Sequence, residues 1–521
     1  MMKSPERRQI IERAILIGLL FLIQIIWFFV IFANIINYSV WINVIFTIIS
    51  FILILYLIRK NESPAYRMGW ISLMAMFPLL GGLLYLLIGN KRPTRRMKRR
   101  LNEHRPLFQQ ELQTLPHQPA QAALAERDLR VASLSHYIYQ FESYPLYRDT
   151  QVEYFANGES MMNQLIQDLK AAKSYIFLEF FIVEFGQMFD QIFEVLKEKV
   201  GQGVEVRLIY DDFGCIARLP EDFDRQCEAV GIKAIKFNPV HPVISMVYNT
   251  RDHRKYIIID GLLAYTGGLN IADEYINVKQ RFGYWKDNMI RLNGPASWSL
   301  SHLFLEMWNG FYPEKDMDLA LYRPQLLEQT NPEEQNLPDS TSFVQPFGDS
   351  PLDNEAVGEN VYRQLLDMAI ESVYIYTPYL IISYEMQTAL ELAAKRGVDV
   401  RIVTPGIPDK PVVYRMTRSF YRPLLEAGVR IYEFTPGFLH AKTFIVDGKV
   451  ACVGTINLDY RSLYLHFETG TLLYYHPVIE QISEDFFQVL DVSRERVLND
   501  LNQSFFGEIV DSLLRLFAPF V

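Results

Sequence analysis

Two long apolar runs near the N-terminus dominate the hydrophobic pattern of the chain. Residues 14–36 and 40–58 carry no charge, and each run is long enough to cross a hydrocarbon layer, which takes about 20 helical residues. The first run is too long for a cleaved signal peptide, lacks a convincing small-residue cleavage site and is followed at once by the second. The pattern therefore predicts an α-helical transmembrane hairpin over residues 1–60.

A third apolar run, residues 69–89, is interrupted by Pro78 and by a pair of glycines. Basic residues favour the cytoplasmic side of short flanks, and here they precede the first run and follow the second. A third crossing would place the basic residues of 91–100 outside, so we expect residues 61–100 to form a re-entrant or interfacial segment with a basic juxtamembrane cluster. The rest of the chain is then expected on the cytoplasmic side of the cell membrane.

Beyond the apolar runs, alternating strand and helix patterns occur twice in the same order. Each copy has a helix, a strand rich in β-branched and aromatic residues, a second helix and a strand that begins at a glycine. We expect an α/β protein in which two such α/β/α halves pack as a pseudo-dimer. The predicted segments after residue 100 are a connector (101–150), the first half (151–320), a polar linker (321–342), the second half (343–500) and a C-terminal amphipathic helix (501–521).

Composition narrows the class of protein. The formal net charge is −9, which does not favour nucleic-acid binding. Three cysteines, without the spacing of metal ligands, fit a reducing compartment without disulfides.

A repeated motif supplies the candidate chemistry. The stretches HRKYIIID, beginning at His253, and HAKTFIVD, beginning at His440, share the same spacing of His, Lys and Asp. In an extended strand, residues two apart share a face, so His253 lies beside Lys255 and His440 beside Lys442. A single such pair is more often an ordinary polar strand edge than a site.

Two further coincidences favour a functional site. Gly268 and Asn270 follow His253 at the same offsets at which Thr455 and Asn457 follow His440. Small residues allow close approach of a ligand, and an Asn amide can donate to a phosphate oxygen. Two copies that converge could bind a phosphoryl group, neutralise it, and supply a nucleophile and an acid.

The last residue of each motif has a different predicted role. Asp260 lies seven residues after His253, at about 3.3 Å per extended residue, so it cannot orient that imidazole. We therefore interpret Asp260 and Asp447 as structural. The orienting carboxylates are predicted to be Asp287 for His253 and Glu468 for His440, each beside the strand that follows the glycine-containing loop of its own half.

These residues resemble the phospholipase D superfamily, which is marked by a duplicated H-x-K-x-x-x-x-D and a G-S-x-N-like stretch. Over essentially its whole length the chain is similar, within that superfamily, to bacterial cardiolipin synthases. The resemblance implies transfer of a phosphatidyl group between two phosphatidylglycerol molecules, giving cardiolipin and glycerol without a metal or organic cofactor. It also implies a catalytic set formed by the six motif residues, with His253 as nucleophile and His440 as acid and base, although these two roles could be exchanged. Lys255, Lys442, Asn270 and Asn457 are expected on the phosphoryl oxygens.

The chain departs from the family pattern at a few positions. The serine of the G-S-x-N stretch is Gly268 in one half and Thr455 in the other, and His466 stands where the family often has Asn. We interpret His466 as an exposed strand residue. Further pocket candidates, which could equally be structural ion-pair partners, are Glu179, Asp211, Asp459 and Arg461.

Alternative functions remain open at this level. Water or another alcohol as acceptor would make the protein a phospholipase D or a different phosphatidyltransferase. A nuclease would need a basic groove with aromatic platforms, which the acidic catalytic region does not suggest. A noncatalytic scaffold is disfavoured by two complete motifs, and the oligomeric state is not predicted.

Overall fold

The computed structural model describes residues 40–60, 63–89, 95–240, 250–312, 318–324, 342–353, 355–501 and 504–520, with isolated positions at 19, 22, 23, 26 and 30. The predicted span 14–36 lies almost entirely outside these residues. Among the helices that the structure describes, none is both long and apolar enough to cross a membrane. The predicted transmembrane hairpin is therefore not confirmed.

Seven helices with described bounds precede the first half. Their bounds are α1 (Val40–Arg59), α2 (Pro64–Met76), α3 (Pro78–Ile88), α4 (Arg95–Asn102), α5 (Arg105–Gln113), α6 (Gln118–Arg127) and α7 (Leu129–Glu142). Helices α2 and α3 fold back on each other, and the hydroxyl of Tyr66 donates to the carbonyl of Gly89, the residue after α3, at 2.8 Å. The interrupted apolar run thus forms a helical hairpin, and residues 101–150, predicted as a connector with some helix, are mostly helical.

The first half contains a sheet of seven strands ordered β1-β8-β6-β5-β2-β3-β4. Strands β2, β3 and β4 are parallel, and the others run antiparallel to their neighbours. The elements are β1 (Gln151–Phe155), α8 (Gly158–Ala171), β2 (Tyr175–Phe180), α9 (Gln187–Gly201), β3 (Glu205–Asp211), α10 (Asp212–Cys215), α11 (Phe223–Glu228), β4 (Lys233–Phe237), β5 (Lys255–Ile259), β6 (Leu263–Gly267), β7 (Tyr284–Lys286), β8 (Met289–Asn293) and α12 (Ser297–Phe311).

The second half repeats this strand order and adds one edge strand, giving β19-β13-β12-β10-β15-β16-β18-β9. Its elements are β9 (Phe343–Asp349), α13 (Val357–Met368), β10 (Ser372–Tyr376), β11 (Leu380–Ile381), α14 (Tyr384–Lys395), β12 (Asp399–Pro405), α15 (Pro411–Ser419), α16 (Tyr421–Glu426), β13 (Arg430–Phe434), β14 (Gly437–Leu439), β15 (Thr443–Val446), β16 (Val450–Gly454), β17 (Leu458–Asp459), α17 (Tyr460–Tyr464), β18 (Glu468–Tyr474), α18 (Val478–Asp491), β19 (Ser493–Arg496) and α19 (Phe505–Phe517). The predicted duplication of α/β halves is confirmed.

The hydrophobic pattern explains why the sheets form between helices. Strands β2 and β5 are buried along their whole length, as expected for strands covered on both faces. Helix α12 is buried at nearly every position, including Trp298 and Trp308, so it lies inside the molecule and not on its surface. One hydrophobic core continues through residues of both halves.

Short strands join the halves beside the motifs. Strand β7 of the first half pairs in parallel with β14 of the second, which brings Lys286 opposite Leu439. A Cβ on Gly437 would lie 2.1 Å from the carbonyl oxygen of Tyr284, so only glycine permits this approach. A single bridge between Asp252 and Phe467 makes the reciprocal connection. These two contacts position the site.

Candidate active site

The imidazole of His253 is held by a carboxylate of the opposite half. His253 lies just before β5, and its backbone N–H donates to the carbonyl of Phe467 at 2.9 Å. This places its Nδ1 2.9 and 3.0 Å from the two carboxylate oxygens of Glu468, the first residue of β18. Nδ1 is thereby engaged, and Nε2 is the ring nitrogen left for a ligand.

His440 is held in the same way from the other side. Its backbone N–H donates to the carbonyl of Lys286 at 2.7 Å, because β14 runs beside β7. Its Nδ1 lies 2.7 Å from Oδ2 of Asp287. Both histidines are less than a tenth exposed and line one cavity of about 460 Å³. The predicted convergence of the two motifs is therefore observed.

The predicted pairing of histidines with carboxylates is wrong. Asp287 was expected to orient His253 and Glu468 to orient His440, each within its own half, whereas the structure exchanges the two partners. The cause is the inter-half backbone pairing, which carries each histidine past its own sheet to the carboxylate of the other half. Sequence order gives no sign of this exchange.

The two dyads differ in electrostatics. Burial, followed by the neighbouring charge of Lys255, lowers the pKa of His253 well below its ordinary value. Burial and Lys442 lower the pKa of His440 to about 4, against the raising effect of Asp287. Burial would raise the pKa of Asp287, but His440 and Lys442 hold it below its ordinary value, whereas burial raises the pKa of Glu468. Asp287 is therefore the better partner for a charged imidazolium.

The motif lysines lie behind the histidines, and the cavity wall does not include them. Lys255 donates to the carbonyl of His253 at 2.5 Å, and Lys442 donates to the carbonyl of His440. Burial lowers the pKa of Lys255 to about 7 and that of Lys442 to about 8. The predicted contact of these lysines with phosphoryl oxygens stays a prediction; in the described structure each ammonium group lies beside the histidine of its own motif.

The predicted amides both line the cavity, with different surroundings. Asn270 accepts from the backbone N–H of Ile182 at 2.9 Å and donates to the hydroxyl of Tyr275 at 2.6 Å. Oδ1 of Asn457 is buried and has no hydrogen-bond partner in the described structure. Asn457 is therefore the amide with free capacity for a ligand.

Gly268 and Thr455, which were predicted to contact substrate, lie beside the carboxylates of Asp287 and Glu468. A Cβ on Gly268 would lie 1.9 Å from Oδ1 of Asp287, so the missing side chain leaves room for that carboxylate. The hydroxyl of Thr455 donates to Oε2 of Glu468 at 2.5 Å. The prediction of substrate contacts at Gly268 and Thr455 is not borne out, because both positions face the carboxylate of their own half.

Asp260 and Asp447 are distant from the chemistry, as the distance argument predicts. Asp260 accepts from the backbone N–H groups of Lys173, Ser174 and Tyr175 at 2.7 to 3.0 Å. Asp447 does the same for Ile370, Glu371 and Ser372 at 2.7 to 3.2 Å. Both have positive φ, 50° and 52°, at the turn that ends the motif strand. The resemblance implied that these two residues are catalytic, and this assignment is corrected. Their carboxylates hold the backbone at the start of β2 and β10.

The interpretation of His466 as exposed is wrong. His466 is buried, lines the cavity, and its ring centroid lies 5.4 Å from that of His253. Its Nδ1 lies 3.5 Å from Oε1 of Glu468. Because His466 precedes Glu468 by only two residues, the predicted role of Glu468 was the signal in the sequence that could have identified His466 as a site residue.

The other pocket candidates divide into two pairs. Asp459 and Arg461 line the cavity, and Asp459 also caps the start of α17. Glu179 is fully buried against Tyr256 and Arg254, and Asp211 caps the turn after β3. The last two are structural.

Several lining residues were not identified from the sequence. Aromatic side chains surround His440 at ring-centroid distances of 5.3 to 5.8 Å, and cations stand elsewhere on the wall. These residues are Tyr275, Trp285, Phe438, Arg218, Arg281 and Lys410. No spacing rule in the sequence links them, because they come from separate segments of the chain, among them strands β7 and β14.

One group among the described residues has the geometry to hold a metal ion. The ligand atoms of His253, His466 and Glu468 lie within 4.8 Å of one another. Lys255 and Arg461 add positive charge around these imidazoles and disfavour a cation there.

Both halves of the chain are similar in sequence to known proteins. Residues 165–291 and 362–490 match the family model described as "Cardiolipin synthase, PLD-like domain", one match in each half. A cardiolipin synthase of Geobacillus kaustophilus is 33% identical over 476 residues, which are 88% of this chain and 90% of that protein. The chain belongs to the cardiolipin synthase family. A cardiolipin synthase of Geobacillus thermodenitrificans is 32% identical over 92% of this chain and 93% of its own length.

Two further likenesses concern the N-terminal segment and the fold. Residues 45–90 match the model described as "Phospholipase_D-nuclease N-terminal". The crystal structure of a phosphatidylserine synthase of Haemophilus influenzae has a TM-score of 0.55 and 16% identity, and covers 75% of this chain and 98% of its own. At that identity the likeness concerns the fold alone; the phospholipase D-like assignment rests on the family match in each half.

Proposed function

We propose that the protein is a cardiolipin synthase that transfers a phosphatidyl group from one phosphatidylglycerol to a second, giving cardiolipin and glycerol. The observation that carries this proposal is the pair of histidine–carboxylate dyads that line one cavity, in a chain related over most of its length to cardiolipin synthases. Two imidazoles at one phosphorus supply a nucleophile and a proton donor.

His253 is assigned as the nucleophile. With Nδ1 donating to Glu468, Nε2 keeps a lone pair that can attack phosphorus, and its low pKa keeps the ring uncharged. The new P–N bond forms as the P–O bond to the glycerol headgroup breaks. The product of this step is a phosphatidyl-histidine and free glycerol.

His440 is assigned as the acid and then the base. A phosphodiester anion in the cavity raises the pKa of a neighbouring imidazole, and ionised Asp287 stabilises the imidazolium. His440 then gives its proton to the leaving glycerol oxygen. In the second step it takes the proton of the acceptor hydroxyl, whose oxygen forms the new P–O bond as the P–N bond breaks.

The two motif lysines support this assignment. Lys255 and Lys442 place positive charge beneath the reacting phosphoryl group, where negative charge increases during transfer. Because both lysines are buried, the attraction between a charged ammonium group and the phosphoryl group is stronger than it would be in water.

We also place the protein at the cytoplasmic face of the cell membrane. Helix α19 exposes Phe505, Phe506, Ile509 and Leu513 to solvent and directs Asp511 to Arg415 at 2.8 Å. The C-terminal turn packs Phe520 against Trp70 of α2, so this apolar face adjoins the N-terminal helices. A surface of this kind suits an enzyme whose substrates keep their acyl chains in a bilayer.

Product analysis tests the reaction. Purified protein incubated with phosphatidylglycerol labelled in the phosphatidyl group should yield labelled cardiolipin and free glycerol. His253→Ala and His440→Ala should each lower the rate by at least 10²- to 10⁴-fold, the usual contribution of acid–base groups. Phosphatidic acid without cardiolipin would favour the phospholipase D alternative, and full turnover by either variant would exclude the paired mechanism.

A further inference from the structure

The cavity wall contributed by the second half carries buried polar groups without partners in the described structure. Both ring nitrogens of His466 and Oδ1 of Asn457 make no hydrogen bond. The two residues are 8% and 4% exposed, and both line the cavity. Buried polar atoms of folded proteins are nearly always satisfied, so these groups indicate a ligand that supplies the missing partners.

The surroundings of His466 determine the protonation state of its imidazole. Its ring lies 5.4 Å from that of His253 and 3.5 Å from the carboxylate of Glu468. Burial lowers its pKa well below the ordinary value, and the charges of Arg461, Lys255, Arg251 and Lys410 act in the same direction. His466 is therefore a neutral imidazole, with one N–H donor and one acceptor nitrogen.

The hydrogen-bonding capacity of these groups distinguishes a phosphate ligand from an alcohol. Phosphate diester oxygens accept hydrogen bonds but cannot donate them, so they cannot satisfy the carbonyl oxygen of Asn457 or the acceptor nitrogen of His466. A hydroxyl group both donates and accepts. An alcohol with more than one hydroxyl group can meet all three open positions.

We propose that His466 and Asn457 form a subsite for the hydroxyl groups of a glycerol headgroup, directly beside the histidine that carries the phosphatidyl group. This inference rests on the proposed function and deepens it. The subsite holds the glycerol of the donor before it leaves and the glycerol of the acceptor before it attacks, so it selects a polyol over water and over simple alcohols. His466 is then a specificity-determining residue.

The test compares two soluble acceptors on the full-length protein. Phosphatidylglycerol with a labelled phosphatidyl group is incubated with unlabelled ethanol, and the reverse reaction is followed separately with labelled glycerol, which re-enters phosphatidylglycerol. The ratio of glycerol transfer to ethanol transfer measures selectivity, and a loss of folded protein does not change it. Wild type should prefer glycerol, and His466→Phe should lower the ratio about 10-fold, because a site built to bind hydroxyl groups discriminates through them.

Matched variants separate the subsite from stability. His466→Asn keeps a donor and an acceptor and should retain an intermediate ratio, whereas Asn457→Ala should lower the ratio as His466→Phe does. His302, a similarly buried histidine outside the cavity, provides the control, and His302→Asn should leave the ratio at the wild-type value even if less protein folds. If His466→Phe does not fold, His466→Asn and Asn457→Ala decide the question.

Failure of the inference and failure of the proposed function give different results. A wild-type ratio in Asn457→Ala together with a wild-type ratio in either His466 variant would overturn the subsite while leaving cardiolipin synthesis intact. If wild type makes phosphatidic acid and no cardiolipin, the proposed function falls, and the glycerol-to-ethanol ratio still tests the subsite. A wild type that makes cardiolipin but does not prefer glycerol to ethanol would overturn the subsite alone.

Discussion

At the scale of single residues, the two histidines of the motifs are equivalent in sequence and different in environment. His440 faces Asp287, which stays ionised, whereas burial raises the pKa of Glu468 beside His253. The unequal partners give a physical reason for unequal roles, since an imidazolium is stabilised better by the ionised carboxylate.

The exchanged dyads make a spectroscopic prediction. In protein with ¹⁵N-labelled histidine, Asp287→Asn should abolish the downfield Nδ1–H resonance of His440, identified by its loss in His440→Ala, and leave that of His253 in place. Glu468→Gln should do the reverse. Each variant should also lose about 10²- to 10⁴-fold in rate, because the imidazole loses its orienting partner. Loss of the His253 signal in Asp287→Asn would restore pairing within each half.

A second prediction concerns pH. In the free protein the pKa of Lys255 is about 7 and that of Lys442 about 8, so both lose positive charge as pH rises through this window. If this charge stabilises the phosphoryl group, kcat/KM, which reports the free enzyme, should fall as pH rises from about 7 to 8. Lys442→Arg should retain charge and shift the descending limb to higher pH in whatever activity it keeps. A limb that does not move would show that Lys442 does not titrate there.

At the scale of elements, the final Asp of each motif connects a strand to its neighbour. Asp447 accepts three backbone N–H groups where β10 begins and occupies a turn with positive φ. Aspartate tolerates this conformation better than most residues. The function of the turn is therefore mechanical: it fixes β15, which follows His440 and Lys442, against β10.

Stability measurements test this role. Asp447→Ala should lower the free energy of unfolding by about 1.5 to 3 kcal/mol, the range for hydrogen bonds to a charged group. Asp447→Asn, which keeps the turn conformation and some acceptor capacity, should lose less. Activity per folded molecule should stay within a few-fold of wild type at low temperature. A loss of several orders of magnitude in well-folded Asp447→Asn would return this residue to the catalytic set.

At the scale of the whole molecule, the site exists only when both halves are docked. Each dyad takes its histidine from one half and its carboxylate from the other, and a buried ion pair between Lys286 and Asp485 crosses the same boundary at 2.8 Å. The duplication therefore builds one active site and not two.

The apolar face of α19 gives a prediction at this scale. Phe505 and Phe506 are 79% and 73% exposed, so replacing both with Ser should change folding little and lower binding to anionic phosphatidylglycerol vesicles several-fold in co-sedimentation. Leu129→Ser is the matched control, since Leu129 is 75% exposed on α7. Equal vesicle binding by the double variant and the control would remove α19 from the proposed membrane-facing surface.

The sequence by itself determined what depends on nearby residues. Alternating strand and helix patterns predicted both α/β halves, and motif spacing predicted the histidines, the lysines and the convergence on one site. The distance from His253 to Asp260 was enough to predict that this carboxylate does not orient the imidazole. Each of these follows from local geometry, which strand and helix periods fix.

Only the tertiary structure decided which groups meet across the two halves. The dyads join residues 215 and 153 positions apart, and they depend on the pairing of β7 with β14 and of Asp252 with Phe467. The burial of His466 and the roles of Gly268 and Thr455 depend on the same docking. Local patterns carry no information on it, because the free energy that selects this pairing comes from surfaces that only two folded halves possess.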